Sequence, residues 1–382
     1  MSLSVETPFE IRTLDAASYR RALSVRDLTD AAWGPHALQL LVQQAIDALR
    51  RRWSCEAIVY RAPPLVSVSA NYDELQYPAE GAARDARYTR YLSADRLLRT
   101  QTSAMIPGAL RMIAAADYPD VLIACPGLTY RRDCIDRLHV GEPHQLDLWR
   151  VRRGRLEQDD LTEMIHTVAA ALLPGAELRL EPATHPYTIH GLEVHARIDE
   201  RWVEILECGL AAPAVLQAAG LGANYGGLAM GLGLDRLLML RKGIDDIRLL
   251  RSDDPRVARQ MLDLEPWRPV SSQPAIQRDL SIAVAAAVTA EELGDRVRAV
   301  LGERSDALEE IRVIAETPWL DLSLAARRRL GIASTQKNVL LRLVIRDVSR
   351  TLTSAQANVL RDEVYAALHE GSVATWASRE SI

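Results

Sequence analysis

The sequence lacks several features that would mark a secreted, membrane-bound or zinc-binding protein. No apolar run approaches the roughly 20 residues of a membrane span. The start, MSLSVETPFEIRTLD, has no signal-peptide segments, and its acidic residues (Glu6, Glu10 and Asp15) argue against a mitochondrial transit peptide. The 4 cysteines are widely spaced without a CxxC pair, which disfavours a zinc site. We therefore expect a cytoplasmic protein with reduced thiols and no membrane contact.

Lysine and phenylalanine are almost absent as well. Lys242 and Lys337 are the only lysines and Phe9 is the only phenylalanine, so nearly all positive charge is arginine. The 46 basic and 51 acidic residues give a net charge of −5, which argues against a broadly basic nucleic-acid-binding surface but leaves room for a local phosphate-binding patch. The apolar content of 48% and the length of 382 residues suit about two packed domains.

The apolar pattern changes at a segment rich in proline and serine, DLEPWRPVSSQP (263–274), which we interpret as a linker. It divides a first domain at 35–262, preceded by an N-terminal extension at 1–34, from a second domain at 275–382. In the first domain, periodicity predicts helices at 36–52, within 96–116, at 158–173 and at 213–219. It predicts strands within 56–70 and at 121–127, 146–151, 176–183 and 193–208.

The second domain shows a different order of elements. Strands are predicted at 278–285, 308–317, 338–346 and 373–377, and helices at 289–301 and 353–371. The resulting order, βαββαβ, is the ferredoxin-like arrangement, in which two helices cover one face of an antiparallel sheet.

One hairpin in the first domain is unusually polar. The stretch YRRDCIDRLHVGEPHQLDLWRV (130–151) joins two predicted strands and carries ten charged or hydrogen-bonding side chains over 131–147. A solvated loop is one interpretation, because loops of this composition are common on protein surfaces. A binding site for a charged ligand is the other.

A glycine-rich stretch later in the domain also points to a ligand. In GLAMGLGLDRLLML (227–240), Gly231 and Gly233 allow a close approach to the backbone just before a predicted helix, and Arg236 lies in the first turn of that helix. This combination suits an anionic, planar ligand such as a nucleotide. The alternative is a helix that packs closely against its neighbours through glycine.

These segments together resemble the class II aminoacyl-tRNA synthetases, most closely the catalytic α chain of phenylalanyl-tRNA synthetase. GLAMGLGLDRLLMLRKGIDDIR resembles motif 3, the polar hairpin resembles motif 2, and HALQLLVQQAIDALRRRWSCEAIVYRAPP resembles motif 1. LLRTQTSAM (97–105) is similar to a conserved family segment, and 275–382 is similar to the anticodon-binding domain. The resemblance implies an α+β fold with an antiparallel sheet flanked by helices, a ferredoxin-like second domain, and a homodimer formed through motif 1.

The resemblance also implies substrates and roles: ATP, Mg²⁺, an amino acid and tRNA. Arg131 would contact the α-phosphate of ATP, and Arg236 would lie on the other side of the nucleotide, which makes these two the candidate catalytic residues. Glu204 would help to hold Mg²⁺, for which oxygen ligands are suitable. The implied ATP-binding set is Arg131, Asp133, His139, Glu204, Gly233 and Arg236. The implied amino-acid-binding set is Gln101, Ser103, Gln145, Asp147, His185, Tyr187, Glu207 and Ala229.

The amino-acid pocket departs from the family pattern. Where the family clamps a phenyl ring between two phenylalanines, this chain has His185-Pro186-Tyr187, and Leu206 and Glu207 replace a glycine pair. Gln101 also replaces a family histidine. Two interpretations follow: the pocket still accepts phenylalanine after repacking, or it accepts a smaller or more polar amino acid that pairs with Glu207 or His185. We favour the second, because unpaired buried polar groups penalise an apolar ligand.

The acceptor of the activated amino acid is also open. A tRNA is the simplest acceptor, and Arg327, Arg328 and Arg329 with Lys337 form a candidate phosphate-contacting patch. A paralogous ligase that uses a protein or a small molecule is an alternative. A catalytically silent binding protein is a third, although retention of Arg131, Glu204 and Arg236 disfavours it.

Overall fold

A computed structural model describes residues 13–198, 200–270, 274–348 and 350–374. The chain forms two compact units. The first comprises the described residues up to Arg131 together with those in Glu142–Leu250 and Pro255–Arg268. The second comprises Arg132–Gly141, Arg251–Asp254 and the described residues from Pro269 onward. Residues 263–268 of the predicted linker thus group with the first unit, where the buried Lys242 ammonium donates to Asp263 and to the Glu265 carbonyl. No helix in the described part of the chain is both long enough and apolar enough to span a membrane.

The first unit is built on a seven-stranded sheet in the order β1-β4-β5-β9-β8-β7-β6. Only the β1–β4 pair is parallel, so the sheet is predominantly antiparallel. The strands are β1 (Glu56–Val59), β4 (Asp120–Leu128), β5 (His144–Arg153), β6 (Leu178–Pro182), β7 (Thr188–Ile198), β8 (Arg201–Ala211) and β9 (Tyr225–Gly233), with a separate short pair, β2 (Leu65–Ser67) and β3 (Arg96–Leu98).

Helices flank this sheet. They are α1 (Ala16–Ser24), α2 (Ala37–Trp53), α3 (Val68–Asn71), α4 (Ile106–Ala116), α5 (Gln158–Leu172), α6 (Pro213–Ala218), α7 (Leu234–Lys242) and α8 (Pro255–Gln260). In α2 the periodic residues Leu38, Leu41, Ile46 and Leu49 are buried, as the 3.6-residue repeat predicts, whereas Leu40 is 41% exposed. The side chain of His36 caps α2 by accepting from the backbone N–H of Leu38.

The strand prediction at 193–208 was wrong in its topology. Two strands, β7 and β8, run antiparallel through this region and turn near residue 200. The error arose because both strands carry several apolar residues and no Gly, Pro or Asn lies between them to mark the turn. The separation matters, because β8 alone faces β9 and carries Glu204 and Glu207.

The second unit contains a three-stranded antiparallel sheet in the order β10-β12-β11. Its elements are β10 (Ile276–Ala285), α9 (Ala290–Leu301), β11 (Leu308–Pro318), α10 (Leu324–Leu330), β12 (Gln336–Ile345) and α11 (Ser354–Leu368). Thr289 and Thr353 begin α9 and α11 with reciprocal capping boxes. Residues 375–377 of the predicted strand at 373–377 lie outside the described part of the chain. The sequence did not predict α10.

The segment Arg132–Gly141, which lies in the middle of the polar hairpin, belongs to this second unit. Ile135 is only 6% exposed and packs into the core beneath the β10-β12-β11 sheet. The Arg298 guanidinium donates to the carbonyls of Asp133 and Cys134, and the backbone N–H of Ile311 donates to the carbonyl of Ile135. The hairpin tip is therefore a packed part of the second unit, and the solvated-loop interpretation does not hold for it.

The core on one face of the large sheet yields a stability prediction. Leu110 on α4 is fully buried among Ile113, Trp149 and their neighbours, whereas Met112 on the same helix is 37% exposed. Replacing Leu110→Ala should lower the free energy of unfolding by about 2–5 kcal/mol, because it leaves a cavity. Urea unfolding would measure this loss. The control Met112→Ala should stay within about 0.5 kcal/mol of wild type, and equal losses in both variants would contradict the packing described.

Candidate active site

The register of three central strands places the candidate site residues in rows across one face of the sheet. Asp147 of β5 lies opposite Gly231 of β9, and Gly231 lies opposite Glu207 of β8. In neighbouring rows Gln145 is opposite Gly233, and Trp149 is opposite Ala229. No atom of the described residues lies within 4 Å of the position that a β-carbon on Gly231 would occupy, so the row has open space between two carboxylates.

Asp147 is the most deeply buried carboxyl of this face, at 2% exposure. Its Oδ2 accepts from the Thr102 hydroxyl at 2.7 Å, and Oδ1 accepts from the Ser103 hydroxyl at 3.0 Å and from Trp149 Nε1 at 3.3 Å. Burial raises the pKa of Asp147 to about 6, although these hydrogen bonds favour the ionised form. The adjacent Gln145 accepts from the backbone N–H of Thr102 at 3.3 Å.

Two arginines border the same face. Arg131 follows β4, and its Nε donates to the carbonyl of Thr100 at 2.7 Å. Arg236, in the first turn of α7, lies 3.9 Å from the Glu204 carboxylate. Burial raises the pKa of Glu204, and the negative charge of Glu207 raises it further. These arginines therefore supply positive charge around a partly buried pair of carboxylates.

A buried hydrogen-bonded pair, His144 and Asp235, fixes the start of β5 beside Arg236. The His144 ring is fully buried, with Nδ1 at 2.9 Å from Asp235 Oδ1 and Nε2 accepting from the backbone N–H of Leu28 at 3.0 Å. Asp235 also accepts from the backbone N–H of His144. Because Asp235 immediately precedes Arg236, this pair sets where α7 begins relative to Gln145.

Aromatic rings close the space beside Ala229. The Tyr187 ring lies 6.1 Å from the Trp149 ring and 6.2 Å from the Tyr77 ring. The Tyr77 hydroxyl donates to Gln101 Oε1 at 2.9 Å, and burial raises the pKa of Tyr77 to about 12, so the hydroxyl stays protonated. Tyr187 is 8% exposed and Ala229 is 1% exposed, so little room lies beneath them.

The two unusual residues of the pocket contact each other. His185 Nε2 lies 3.2 Å from Glu207 Oε2, and the His185 ring lies 6.1 Å from the Tyr187 ring. The hydrogen bond from His185 lowers the pKa of Glu207 despite the partial burial of that carboxyl, and the charge of Arg131 lowers it further. Glu207 is therefore an anion at neutral pH.

Most of the predicted site residues lie in the first unit around this face, but two do not. Asp133 and His139 belong to the second unit, where Asp133 caps the N–H of Cys134 and His139 Nδ1 pairs with Asp136 at 2.8 Å. Their role toward a nucleotide stays a prediction.

Three residues that line the site were not predicted. Thr102 lies between two residues of the predicted set, and Trp149 continues the alternation of Gln145 and Asp147 along β5, so strand periodicity alone would have indicated it. Tyr77 lies in a turn far from any motif, and nothing in the sequence around it pointed to the site.

The donor set for a metal ion is small. Among the described residues no group of three or more His, Cys, Asp or Glu side chains could hold an ion. Glu204 offers one hard oxygen ligand next to the open face, which fits Mg²⁺ only if a bound nucleotide supplies further oxygen ligands.

Comparison with known proteins identifies the class. The family model "tRNA synthetases class II core domain (F)" matches residues 38–261, more than half of the chain. The chain therefore belongs to the class II tRNA synthetase family. The matched segment contains the seven-stranded sheet and all the site residues of the first unit.

Two named relatives and one solved structure are similar to the chain. The chain is 34% identical over 203 residues to the phenylalanine–tRNA ligase alpha subunit of Prochlorococcus marinus, which covers 53% of this chain and 59% of that protein. It is 29% identical over 315 residues to the chloroplastic/mitochondrial phenylalanine–tRNA ligase of Arabidopsis thaliana. That match covers 79% of this chain and 68% of the plant protein. A pyrrolysyl-tRNA synthetase structure from Desulfitobacterium hafniense matches at 20% identity and a TM-score of 0.45. The match covers 57% of this chain and 74% of that one. The chain thus spans well under two thirds of the alpha-subunit relative.

The buried Asp147 yields a prediction about pH. Its folded pKa of about 6 lies above the ordinary aspartate value of 3.8, so the unfolded chain ionises first as pH rises and the folded state loses stability between these values. Asp147→Asn cannot ionise. The unfolding free energy of the variant minus that of wild type should therefore rise by up to about 3 kcal/mol when the pH is raised from 3.5 to 7. Urea unfolding at both pH values tests this, and a difference that does not change with pH would contradict it.

Proposed function

We propose that this protein activates an amino acid with ATP to form an aminoacyl-adenylate and then transfers the aminoacyl group to a tRNA. The observation that carries the proposal is the single sheet face on which Arg131, Arg236 and Glu204 border the Asp147–Gly231–Glu207 row. Membership of the class II family and the names of the relatives support the same activity.

The proposed reaction follows from the charges at the site. The α-carboxylate of the amino acid attacks the α-phosphorus of ATP, a new carboxyl O–P bond forms, and the bond to the bridging oxygen breaks. Pyrophosphate leaves with that electron pair. Negative charge builds on the α-phosphate oxygens, where the planar guanidinium of Arg131 would donate hydrogen bonds, with Arg236 on the other side of the nucleotide.

The amino group of the substrate is assigned to the Gln145 and Asp147 end of the row. An ionised Asp147 offers a buried negative charge that complements an ammonium group, and Ser103 holds the carboxylate in place. Glu204 would hold Mg²⁺, which when bound neutralises charge on the nucleotide phosphates. Gly233, which has open space above it, would lie against the nucleotide.

The acceptor and the assembly complete the proposal. Around the candidate tRNA patch, Arg328 is exposed on α10, whereas Lys337 pairs with Glu316 at 2.9 Å and Arg327 stacks on the Trp319 ring at 3.7 Å. We further propose a homodimer through motif 1. A non-tRNA acceptor stays the second candidate, because Lys337 and Arg327 already contact side chains within the second unit.

The activation step is tested by pyrophosphate exchange. Wild-type protein should exchange labelled pyrophosphate into ATP in the presence of one or a few amino acids. Arg131→Ala should lower the rate by about 10²–10³, because it removes a donor to the charge that develops in the transition state. Arg152→Ala is the matched control and should keep wild-type activity, because Arg152 is a half-buried arginine on β5 whose guanidinium donates only to the nearby Arg155 carbonyl among the contacts described. Equal rates in the two variants would count against the proposed role of Arg131.

The acceptor is tested by tRNA binding. If tRNA is the acceptor, binding should weaken about tenfold or more between 50 and 200 mM salt, because neutralised phosphates release counterions. Arg328→Ala should weaken binding and make it less dependent on salt, whereas Arg312→Ala, whose side chain pairs with Glu310, serves as control. Amino-acid activation without salt-dependent tRNA binding would favour the paralogous ligase with another acceptor.

A further inference from the structure

The His185–Glu207 pair is held by close packing. The second ring nitrogen of His185, Nδ1, lies 3.4 Å from the Thr188 hydroxyl. A β-carbon on Gly191 would lie 3.0 Å from the same nitrogen and 2.5 Å from the Ala183 carbonyl oxygen, and one on Gly209 would lie 2.7 Å from the Thr188 β-carbon. The absence of side chains at both glycines lets the ring sit against the sheet, with Nε2 directed at Glu207.

Glu207 has hydrogen-bonding capacity beyond this pair. Its Oε2 contacts His185, and its side chain is 46% accessible although the residue lies in the middle of the sheet. Arg131 is close enough for its charge to lower the pKa of Glu207, but its guanidinium Nε donates to the Thr100 carbonyl. A carboxylate can accept about four hydrogen bonds, so Glu207 can accept more from a ligand.

The row therefore has an anionic group at each end. Strand spacing separates the backbones of Asp147 and Glu207 by about 10 Å, with the open space over Gly231 between them. An apolar side chain placed there would bury the Glu207 carboxylate without a new hydrogen bond, which is costly. The rings of Tyr187 and Trp149 close the region behind it, so a long side chain has no channel to enter.

We propose that the amino acid bound at this site has a short polar side chain that donates a hydrogen bond to Glu207, with His185 as the residue that positions the carboxylate. This inference rests on the proposed function, since it names the substrate class of the same site. Hydroxyl, amide and short amine side chains meet the requirement, and phenylalanine does not. Glu207 is then the residue that determines specificity.

The test is pyrophosphate exchange measured across the common amino acids and short diamino acids for wild type, Glu207→Met and Glu207→Gln. For wild type, a donor-bearing polar amino acid should have the highest kcat/KM. Glu207→Met should lower that value by about 10- to 100-fold, mainly through KM, and should raise kcat/KM for apolar amino acids of similar size. Glu207→Gln, which keeps the shape and one acceptor, should show a smaller loss.

Controls separate this inference from the proposed function. Glu181→Met changes a carboxylate on β6 that pairs with Arg179, and it should leave the ranking of amino acids unchanged. Thermal unfolding of each variant establishes that it folds. If Glu207→Met does not fold, the comparison is made with Glu207→Gln instead. The inference would be overturned, and the proposed function left intact, if phenylalanine had the highest kcat/KM in exchange. The same would hold if substitutions at Glu207 left the ranking of amino acids unchanged. Exchange with none of the amino acids would overturn both.

Discussion

The antiparallel register of β5, β9 and β8 is the constraint on which the site depends. Side chains on neighbouring strands share a face only at matched positions, and a slip of one residue would turn every one of them to the opposite face. The observed register aligns Asp147, Gly231 and Glu207 in one row. The buried His144–Asp235 pair holds β5 against the start of α7, so the register and the position of Arg236 are secured together.

This arrangement concentrates charged groups around an open space on one face of the sheet. Asp147 is buried with a raised pKa, Glu207 is kept ionised by His185, and Arg131 and Arg236 lie along the same face. Groups with perturbed pKa values around an open space are typical of functional sites. The combination of two carboxylates with two arginines supports the proposal that an amino acid binds here beside a nucleotide.

The polar hairpin illustrates how tertiary structure can divide a motif. Arg131 belongs to the first unit with the seven-stranded sheet, whereas Asp133 and His139 belong to the second unit. There Arg298 donates to the backbone of the segment, and Ile135 packs into the core. A motif read along the chain gives no information about this division, because the contacts of 132–141 are made with residues more than 150 positions later in the sequence.

The sequence by itself determined the class of the fold, the helix α2 and the strands that carry the motifs, because hydrophobic periodicity and short motifs are local properties. It also suggested most of the residues that meet at the candidate site. Tertiary structure alone decided that 193–208 is part of a hairpin, that Tyr77 reaches Gln101, and that His185 contacts Glu207. These features depend on strand pairing and on packing between distant segments, which no local pattern specifies. The chemistry of the pocket is therefore a property of the folded sheet.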